Sequence, residues 1–131
     1  MNPEVSIITA VRPGGSPYLK EAYHSILEQG LPRGSWEWLV QFDSAQDDAP
    51  PALLRDPHVR VEHNQVRQGA AGTRNYALRR ANAPYVRNLD DDDLVLPGAL
   101  RKAISVLDAR PSVAFVTGPA RDLFEGGRMM P

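Results

Sequence analysis

The sequence predicts an α/β fold, with a mostly parallel sheet flanked by helices on both faces. Two observations support this prediction. Short runs of β-branched and apolar residues alternate along the chain with segments whose apolar residues recur at helical spacing. Polar and acidic clusters follow several of the predicted strands. Because ligands of such sheets bind beyond the carboxyl ends of the strands, we expect the chemistry of this chain to lie along that edge.

Composition and charge restrict the classes of protein to consider. The 131 residues suffice for one small domain with a single core. The formal net charge is −1, so no overall field favours nucleic acid or an acidic membrane surface. The absence of cysteine excludes disulfides and thiolate metal sites. With no signal-peptide pattern after Met1 and no apolar run near ~18 residues, the chain is expected in the cytoplasm.

Five strands are predicted from β-branched and aromatic runs bounded by turn-forming residues. In chain order they cover residues 5–9, 36–42, 58–63, 85–89 and 112–117. After the fifth strand, Gly126 and Gly127 are expected to form the turn of a hairpin.

Helices are predicted between these strands. The first has an apolar face with i, i+3, i+4, i+7 spacing, made by Leu19, Ala22, Tyr23, Ile26 and Leu27. Ser16 is placed to cap this helix, and Gly30 is placed to end it. A helical turn is expected over residues 51–54, a longer helix over residues 70–82, and a further helix from Pro97.

Four consecutive aspartates, Asp90 to Asp93, follow the predicted fourth strand. Like charges a few ångströms apart raise one another's pKa or require a cation. A divalent Mg²⁺ or Mn²⁺ ion bound through oxygen ligands would relieve the repulsion and keep open positions for phosphate oxygens. The alternative is a solvated acidic loop, which is the usual state of a charge run.

Arg74 is the second candidate for a functional role. The predicted inner stripe of the 70–82 helix contains Ala77, Leu78 and Ala81, and one turn earlier the same stripe reaches Arg74. An arginine on an apolar face needs an anionic partner, and a helix N-terminus preceded by small residues such as Gly69 suits a diphosphate. The alternative is an ion pair between Arg74 and a nearby aspartate; one arginine could also serve both partners.

Taken together, these segments resemble the first half of a family 2 glycosyltransferase with the Rossmann-like glycosyltransferase A fold. The resemblance covers residues 4 to about 118, and its most specific part is Leu89-Asp90-Asp91-Asp92-Asp93 followed by Leu96-Pro97-Gly98-Ala99-Leu100. The other matching stretches are residues 5–9, 19–29, 36–40 and 64–75. The family uses nucleotide sugars, so residues 1–131 would form a nucleotide-sugar-binding domain.

The resemblance also implies roles for individual residues. Contacts to a nucleoside-diphosphate sugar, most readily a UDP-sugar, would come from Thr9, Ala10, Val11, Asp43, Gly69, Arg74, Asp90 and Asp91. Within that set, Asp43 would bind the base and Arg74 the diphosphate. Asp92 would ligate the Mn²⁺ or Mg²⁺ ion that bridges both phosphates. Sugar transfer would proceed with inversion, to an acceptor that the sequence does not identify.

The chain also departs from the family pattern. The family often has Pro-x-Tyr-Asn where this chain has Thr9-Ala10-Val11-Arg12, and paired aspartates where it has Phe42-Asp43. The family's acceptor half and catalytic carboxylate lie after the fifth strand, so no general base is assigned here. The resemblance therefore implies donor binding without turnover, and association into a two-fold dimer.

Two alternative functions remain open from the sequence alone. The chain could be a non-catalytic nucleotide- or metal-binding half-domain that acts with another chain. It could also be a receiver-like signalling domain, which collects acidic residues at strand ends. That fold needs a lysine near the acidic pocket, whereas Lys20 and Lys102 both lie on predicted helices.

Overall fold

The computed structural model describes residues 2–123 and 129–130. Its main sheet has four parallel strands in the order β3-β2-β1-β4, namely β1 (Val5–Val11), β2 (Trp36–Phe42), β3 (Val59–His63) and β4 (Tyr85–Asn88). Each strand is followed by a helix, in order α1 (Leu19–Leu27), α2 (Pro51–Arg55), α3 (Gly69–Arg79) and α4 (Ala99–Ala109). None of these described helices is long and apolar enough to cross a membrane. The predicted α/β fold class is confirmed.

The larger core lies on the face of the sheet that packs against α1 and α2. Trp38 of β2 is fully buried there, and its ring stacks on Tyr23 of α1 with centroids 6.2 Å apart. The Trp38 indole Nε1–H donates to Thr9 Oγ1 at 2.8 Å, and the Thr9 hydroxyl donates to the Leu89 carbonyl at 2.6 Å. These bonds connect β1 and β2 to Leu89, the residue between the end of β4 and the acidic run.

The opposite face of the sheet is covered by α3 alone among the described helices. Its core is small and contains Ile8, Leu39 and Ala77, with Ala81 packed against it. The prediction that Leu78, and Arg74 one turn earlier, belong to the buried stripe is wrong, because Leu78 is 46% exposed and the Arg74 side chain is 42% exposed. Residues four apart stack on one side of a helix, so Thr73, Ala77 and Ala81 face the sheet while Leu78 is rotated away.

The start of α1 also differs from the prediction. The helix begins at Leu19, so Ser16 is not its N-cap. The Ser16 hydroxyl instead accepts the Tyr18 backbone N–H at 3.2 Å and donates to the Asp91 carbonyl at 3.0 Å. Ser16 therefore connects the loop after β1 to the acidic run. Gly30 follows the end of the helix with φ of +65°, as expected for a glycine in that position.

The prediction of a strand at residues 112–117 is wrong. This segment contains a turn at its start, where the Val113 N–H donates to the Arg110 carbonyl, and no strand thereafter. Phe115 is 75% exposed. A β-branched composition favours a strand only where a neighbouring strand pairs with its backbone, and residues 112–117 have no such pairing in the described chain. Beyond this segment, β5 (Asp122–Leu123) pairs antiparallel with β6 (Met129–Met130), and the predicted turn at Gly126-Gly127 lies outside the described residues.

A buried carboxylate supports the sheet on the face covered by α3. Glu37 of β2 accepts hydrogen bonds from the Ser6 hydroxyl, from the Asn82 backbone N–H at 2.7 Å and from Arg60 Nη2 at 2.9 Å. Burial alone would raise the pKa of Glu37, but these bonds and the arginine charge outweigh it, so its pKa lies below the usual value. Glu37 therefore stabilises the fold in its charged form.

Acid should weaken the fold partly through Glu37. A carboxyl whose folded-state pKa is lowered stabilises the protein fully above its unfolded pKa, and this stability is lost as the pH falls through the folded value. We expect the urea midpoint of the wild type to decrease as the pH is lowered below about 4.3, the ordinary glutamate pKa. The decrease should be smaller for Glu37→Gln. Urea titrations across this range measure both. Identical pH profiles for the two proteins would contradict the role of Glu37.

Candidate functional site

The carboxyl ends of β1, β2 and β4 meet the start of α3 around a cavity of about 430 Å³. Its lining includes all the residues assigned by resemblance except one: Ala10, Val11, Asp43, Gly69, Arg74, Asp90, Asp91 and Asp92. The exception is Thr9, whose side chain is fully buried in the core. Residues far apart in the sequence are thus gathered at the strand ends.

Asp43 connects the end of β2 to the start of α3. Its Oδ1 accepts the Gln68 N–H at 2.7 Å and the Asn64 Nδ2–H at 3.0 Å, and its Oδ2 accepts the Gly69 N–H at 2.9 Å. Only 5% of the residue is exposed. These hydrogen bonds give Asp43 a structural role at the start of α3 that spacing alone could not reveal, and its ligand contact stays a prediction.

The electrostatics of Asp43 agree with this geometry. Burial would raise its pKa, but the hydrogen bonds from Gln68, Asn64 and Gly69, with the charge of Arg67, lower it below the usual value. The carboxylate therefore stays charged at the positive end of the α3 dipole. Each carboxylate oxygen can accept two hydrogen bonds, so Oδ2, which accepts one from Gly69, can accept a second.

Arg74 lies on the first turns of α3 and reaches the acidic run. Its Nη2 lies 3.3 Å from Asp90 Oδ1, which makes the ion pair considered from the sequence. The side chain remains 42% exposed. Its Nε–H is buried and has no acceptor among the described residues. A guanidinium has five N–H donors, so one long contact leaves Arg74 able to bind a further anion.

Asp91 is held by Arg12. Arg12 Nη2 donates to Asp91 Oδ1 at 2.8 Å, and Arg12 Nε donates to Asp91 Oδ2 at 3.3 Å, a bidentate pair. The Asp91 side chain is only 5% exposed, whereas that of Arg12 is 63% exposed. Arg12 Nη2 also lies 3.6 Å from Asp92 Oδ2. In the sequence prediction, Arg12 is a departure from the family pattern and is not assigned to the site.

The remaining aspartates form a cluster that fits a divalent cation. One carboxylate oxygen from each of Asp90, Asp92 and Asp93 lies within 4.8 Å of the others. Burial, together with the charges of Asp92 and Asp90, raises the pKa of Asp93. Hard oxygen donors held this close are the ligand type that Mg²⁺ and Mn²⁺ prefer. Asp90 and Asp93 are thus candidate metal ligands beside Asp92, which is the one metal ligand that the resemblance implies.

A larger hollow of about 490 Å³ lies at the other edge of the sheet, near the starts of β2 and β3. Three of its polar side chains are already bonded to one another. The Tyr23 hydroxyl donates to Asp56, and Asp56 also contacts His58 Nδ1 at 2.8 Å. The His58 ring stacks on Trp36 with centroids 4.3 Å apart. Because these groups satisfy each other, the smaller cavity at the strand ends is the better functional candidate.

The parallel sheet, the acidic cluster after β4 and the arginine on the first turns of α3 place this chain among α/β proteins with a polar cavity at the strand ends. The chain belongs to the glycosyl transferase family 2, whose family description matches residues 6–130.

Two curated relatives are similar over most of this chain. TuaG of Bacillus subtilis (strain 168), a glycosyltransferase named for teichuronic acid biosynthesis, is 32% identical over 120 residues, which is 88% of this chain and 46% of TuaG. The Escherichia coli protein WfgD, named as a UDP-Glc:alpha-D-GlcNAc-diphosphoundecaprenol beta-1,3-glucosyltransferase, is 31% identical over 96 residues, 72% of this chain and 37% of WfgD. The chain thus spans less than half the length of either relative.

Solved structures show the same fold. The mannosyltransferase PcManGT from Pyrobaculum calidifontis, in complex with GDP-Man and Mn²⁺, matches with a TM-score of 0.72 and 29% identity, over 86% of this chain and 34% of PcManGT. TarS of S. aureus (residues 1–349) matches with a TM-score of 0.73 and 22% identity, over 92% of this chain and 39% of that protein. The TarS match supports the fold alone.

Proposed function

We propose that this chain binds the nucleoside-diphosphate sugar of a metal-dependent, inverting glycosyltransferase. The observation that carries the proposal is that Arg74, the start of α3 and two members of the aspartate cluster, Asp90 and Asp92, line one cavity. A diphosphate needs cationic groups and backbone N–H donors on one side, and a metal held by carboxylates on another. The PcManGT complex with GDP-Man and Mn²⁺ supports this combination.

Different residues of the chain would contact different parts of the bound donor. Asp90, Asp92 and Asp93 would hold the cation, which supplies Lewis-acid neutralisation of the departing nucleoside diphosphate. Arg74 would contact the diphosphate from the α3 side. Gly69, with φ of +77°, allows the backbone to pass close to the ligand in a conformation that other residues rarely adopt.

The base contact is proposed for Asp43, through the lone pair that its Oδ2 retains. Uracil is the base that we propose first, because WfgD, which is 31% identical to this chain, is named for UDP-Glc. PcManGT binds GDP-Man, so guanine is the competing base to test.

A non-catalytic half-domain that acts with another chain is the second candidate. The observation that favours it is the exposure of two apolar side chains, Val86 on the edge strand β4 and Phe115, which a partner chain would bury. A nucleotide-release assay over a broad acceptor panel is expected to show no acceptor-dependent release from this chain alone, since no general base is assigned in it. Such release would contradict the half-domain candidate and the expectation of donor binding without turnover.

Metal-dependent nucleotide binding is the expected result if the proposal is correct. Calorimetric titration should show that UDP or GDP binds at least about tenfold more tightly with Mn²⁺ than with excess chelator, because the cation bridges carboxylates and phosphates. Asp92→Asn should remove most of this difference. Glu28→Gln is the matched control, since it removes one exposed carboxylate at the end of α1, away from the cavity. Equal affinity with Mn²⁺ and chelator would refute the proposal.

A further inference from the structure

Arg12 places a fixed positive charge beside the aspartate cluster. Its guanidinium makes both contacts to Asp91 within 3.3 Å, and its Nη2 reaches to 3.6 Å from Asp92 Oδ2. Its backbone N–H also points at Asp91 Oδ2, at 3.4 Å. A bidentate arginine–carboxylate pair of this kind is geometrically specific, and a lysine cannot reproduce it.

This pairing separates Asp91 from its three neighbours in the acidic run. Asp90, Asp92 and Asp93 bring their oxygens together, but Asp91 is not part of that group. Its carboxylate lies buried against Arg12, and its backbone carbonyl accepts the Ser16 hydroxyl. Asp91 therefore faces the loop after β1, and Arg12 neutralises most of the charge that it would add to the cluster.

We infer that Arg12 is a positioning residue that keeps Asp91 out of the metal ligand set and weakens the binding of free divalent cations. The inference rests on the proposed metal site. With Arg12 in place, a cation meets three carboxylates and a nearby positive charge, so its binding depends more on the oxygens of a diphosphate. Removal of the guanidinium would expose a fourth carboxylate and remove the repulsion from Asp92 at the same time.

A double-mutant cycle on Arg12 and Asp91 tests this inference. The probe is Mn²⁺ alone, and free Mn²⁺ is followed by electron paramagnetic resonance. One unit charge a few ångströms from a divalent ion at a solvated site changes its affinity by about tenfold. We therefore expect Arg12→Gln to bind Mn²⁺ up to about tenfold more tightly than the wild type. Asp91→Asn should bind it more weakly, because Arg12 is then free to pair with Asp92.

Two further variants complete the design. The double variant with Arg12→Gln and Asp91→Asn should bind Mn²⁺ with near wild-type affinity, because the pair is removed without a change in net charge. Arg12→Lys keeps the positive charge but loses the bidentate contact to Asp91. Its affinity for Mn²⁺ should therefore lie between those of the wild type and Arg12→Gln. Arg33→Gln, at the other edge of the sheet, controls for net charge. Circular dichroism and thermal melts verify that each variant is folded.

The outcomes separate this inference from the proposed function. If Arg12→Gln binds Mn²⁺ no more tightly than the wild type while UDP or GDP binding still requires metal, the inference is wrong and the proposed function stands. If nucleotide binding is insensitive to chelator, the proposed function is wrong. If neither the wild type nor Arg12→Gln binds Mn²⁺ alone, the inference is overturned, and the chelator test of UDP and GDP binding decides the proposed function.

Discussion

Asp43→Ala is expected to lower the free energy of unfolding by about 3 kcal/mol, a large effect for one side chain. The substitution leaves the Gln68 and Gly69 N–H groups and the Asn64 amide without their acceptor. Buried donors that lose a charged acceptor cost more than the bond itself contributes, because nothing replaces the lost solvation. The negative charge at the start of α3 is lost as well.

Urea unfolding, followed by the emission of the buried Trp36 and Trp38, measures this change. Asp43→Asn should cost roughly half as much, since its oxygen can still accept two bonds while its amide faces the Gly69 N–H. Asp47→Ala is the matched control in the same loop, because Asp47 accepts one exposed backbone bond, from Gly14 at 2.8 Å. Equal losses at Asp43 and Asp47 would show that the acceptor role of Asp43 is not what stabilises α3.

Arg74→Met is expected to weaken the binding of a nucleoside diphosphate about tenfold or more while leaving nucleoside affinity nearly unchanged. A charge-assisted contact to phosphate contributes roughly 1.5–3 kcal/mol, and methionine preserves most of the apolar stem. Arg74 has donors for phosphate because Asp90 contacts only one of its nitrogens, with 3.3 Å between Nη2 and Asp90 Oδ1. The remaining donors can turn to phosphate without loss of the ion pair.

The measurement compares uridine with UDP, and guanosine with GDP, by calorimetry in the presence of Mn²⁺. Arg79→Met on the same helix is the control, since the Arg79 guanidinium is exposed and its described contact is the Tyr76 ring, 5.3 Å away. If nucleoside and diphosphate affinities fall by the same factor in Arg74→Met, the arginine does not contact the phosphates. In that case its role is limited to the ion pair with Asp90.

The parts of the fold that could be predicted from sequence are those governed by periodicity and chain order. Alternating β-branched runs and helical stripes located the four strands of the sheet and their helices, because both periods follow directly from backbone geometry. The strand at residues 112–117 was wrong because strand formation also needs a partner, which composition does not supply. Ser16 and Leu78 were misplaced because a shift of one or two residues rotates a side chain out of its expected position.

The site was predictable to the extent that it depends on strand ends. Asp43, Arg74 and the aspartate run reach one cavity because parallel strands finish at the same edge. The pairing within that cavity was not predictable. Four adjacent aspartates look equivalent in the sequence, yet Asp91 pairs with Arg12 while Asp93 joins the group that fits a metal. Only the direction of each side chain, set by the turn after β4, distinguishes them.

The buried bonds among Trp38, Thr9 and Leu89 have a consequence for how such a domain can diverge. They fix the point where the acidic loop leaves the sheet, using side chains that never touch the cavity. Exchanges among the loop residues can therefore alter ligand preference without moving that origin. Substitutions could therefore change the lining of the cavity one loop position at a time, whereas the buried attachment in the core keeps the common geometry.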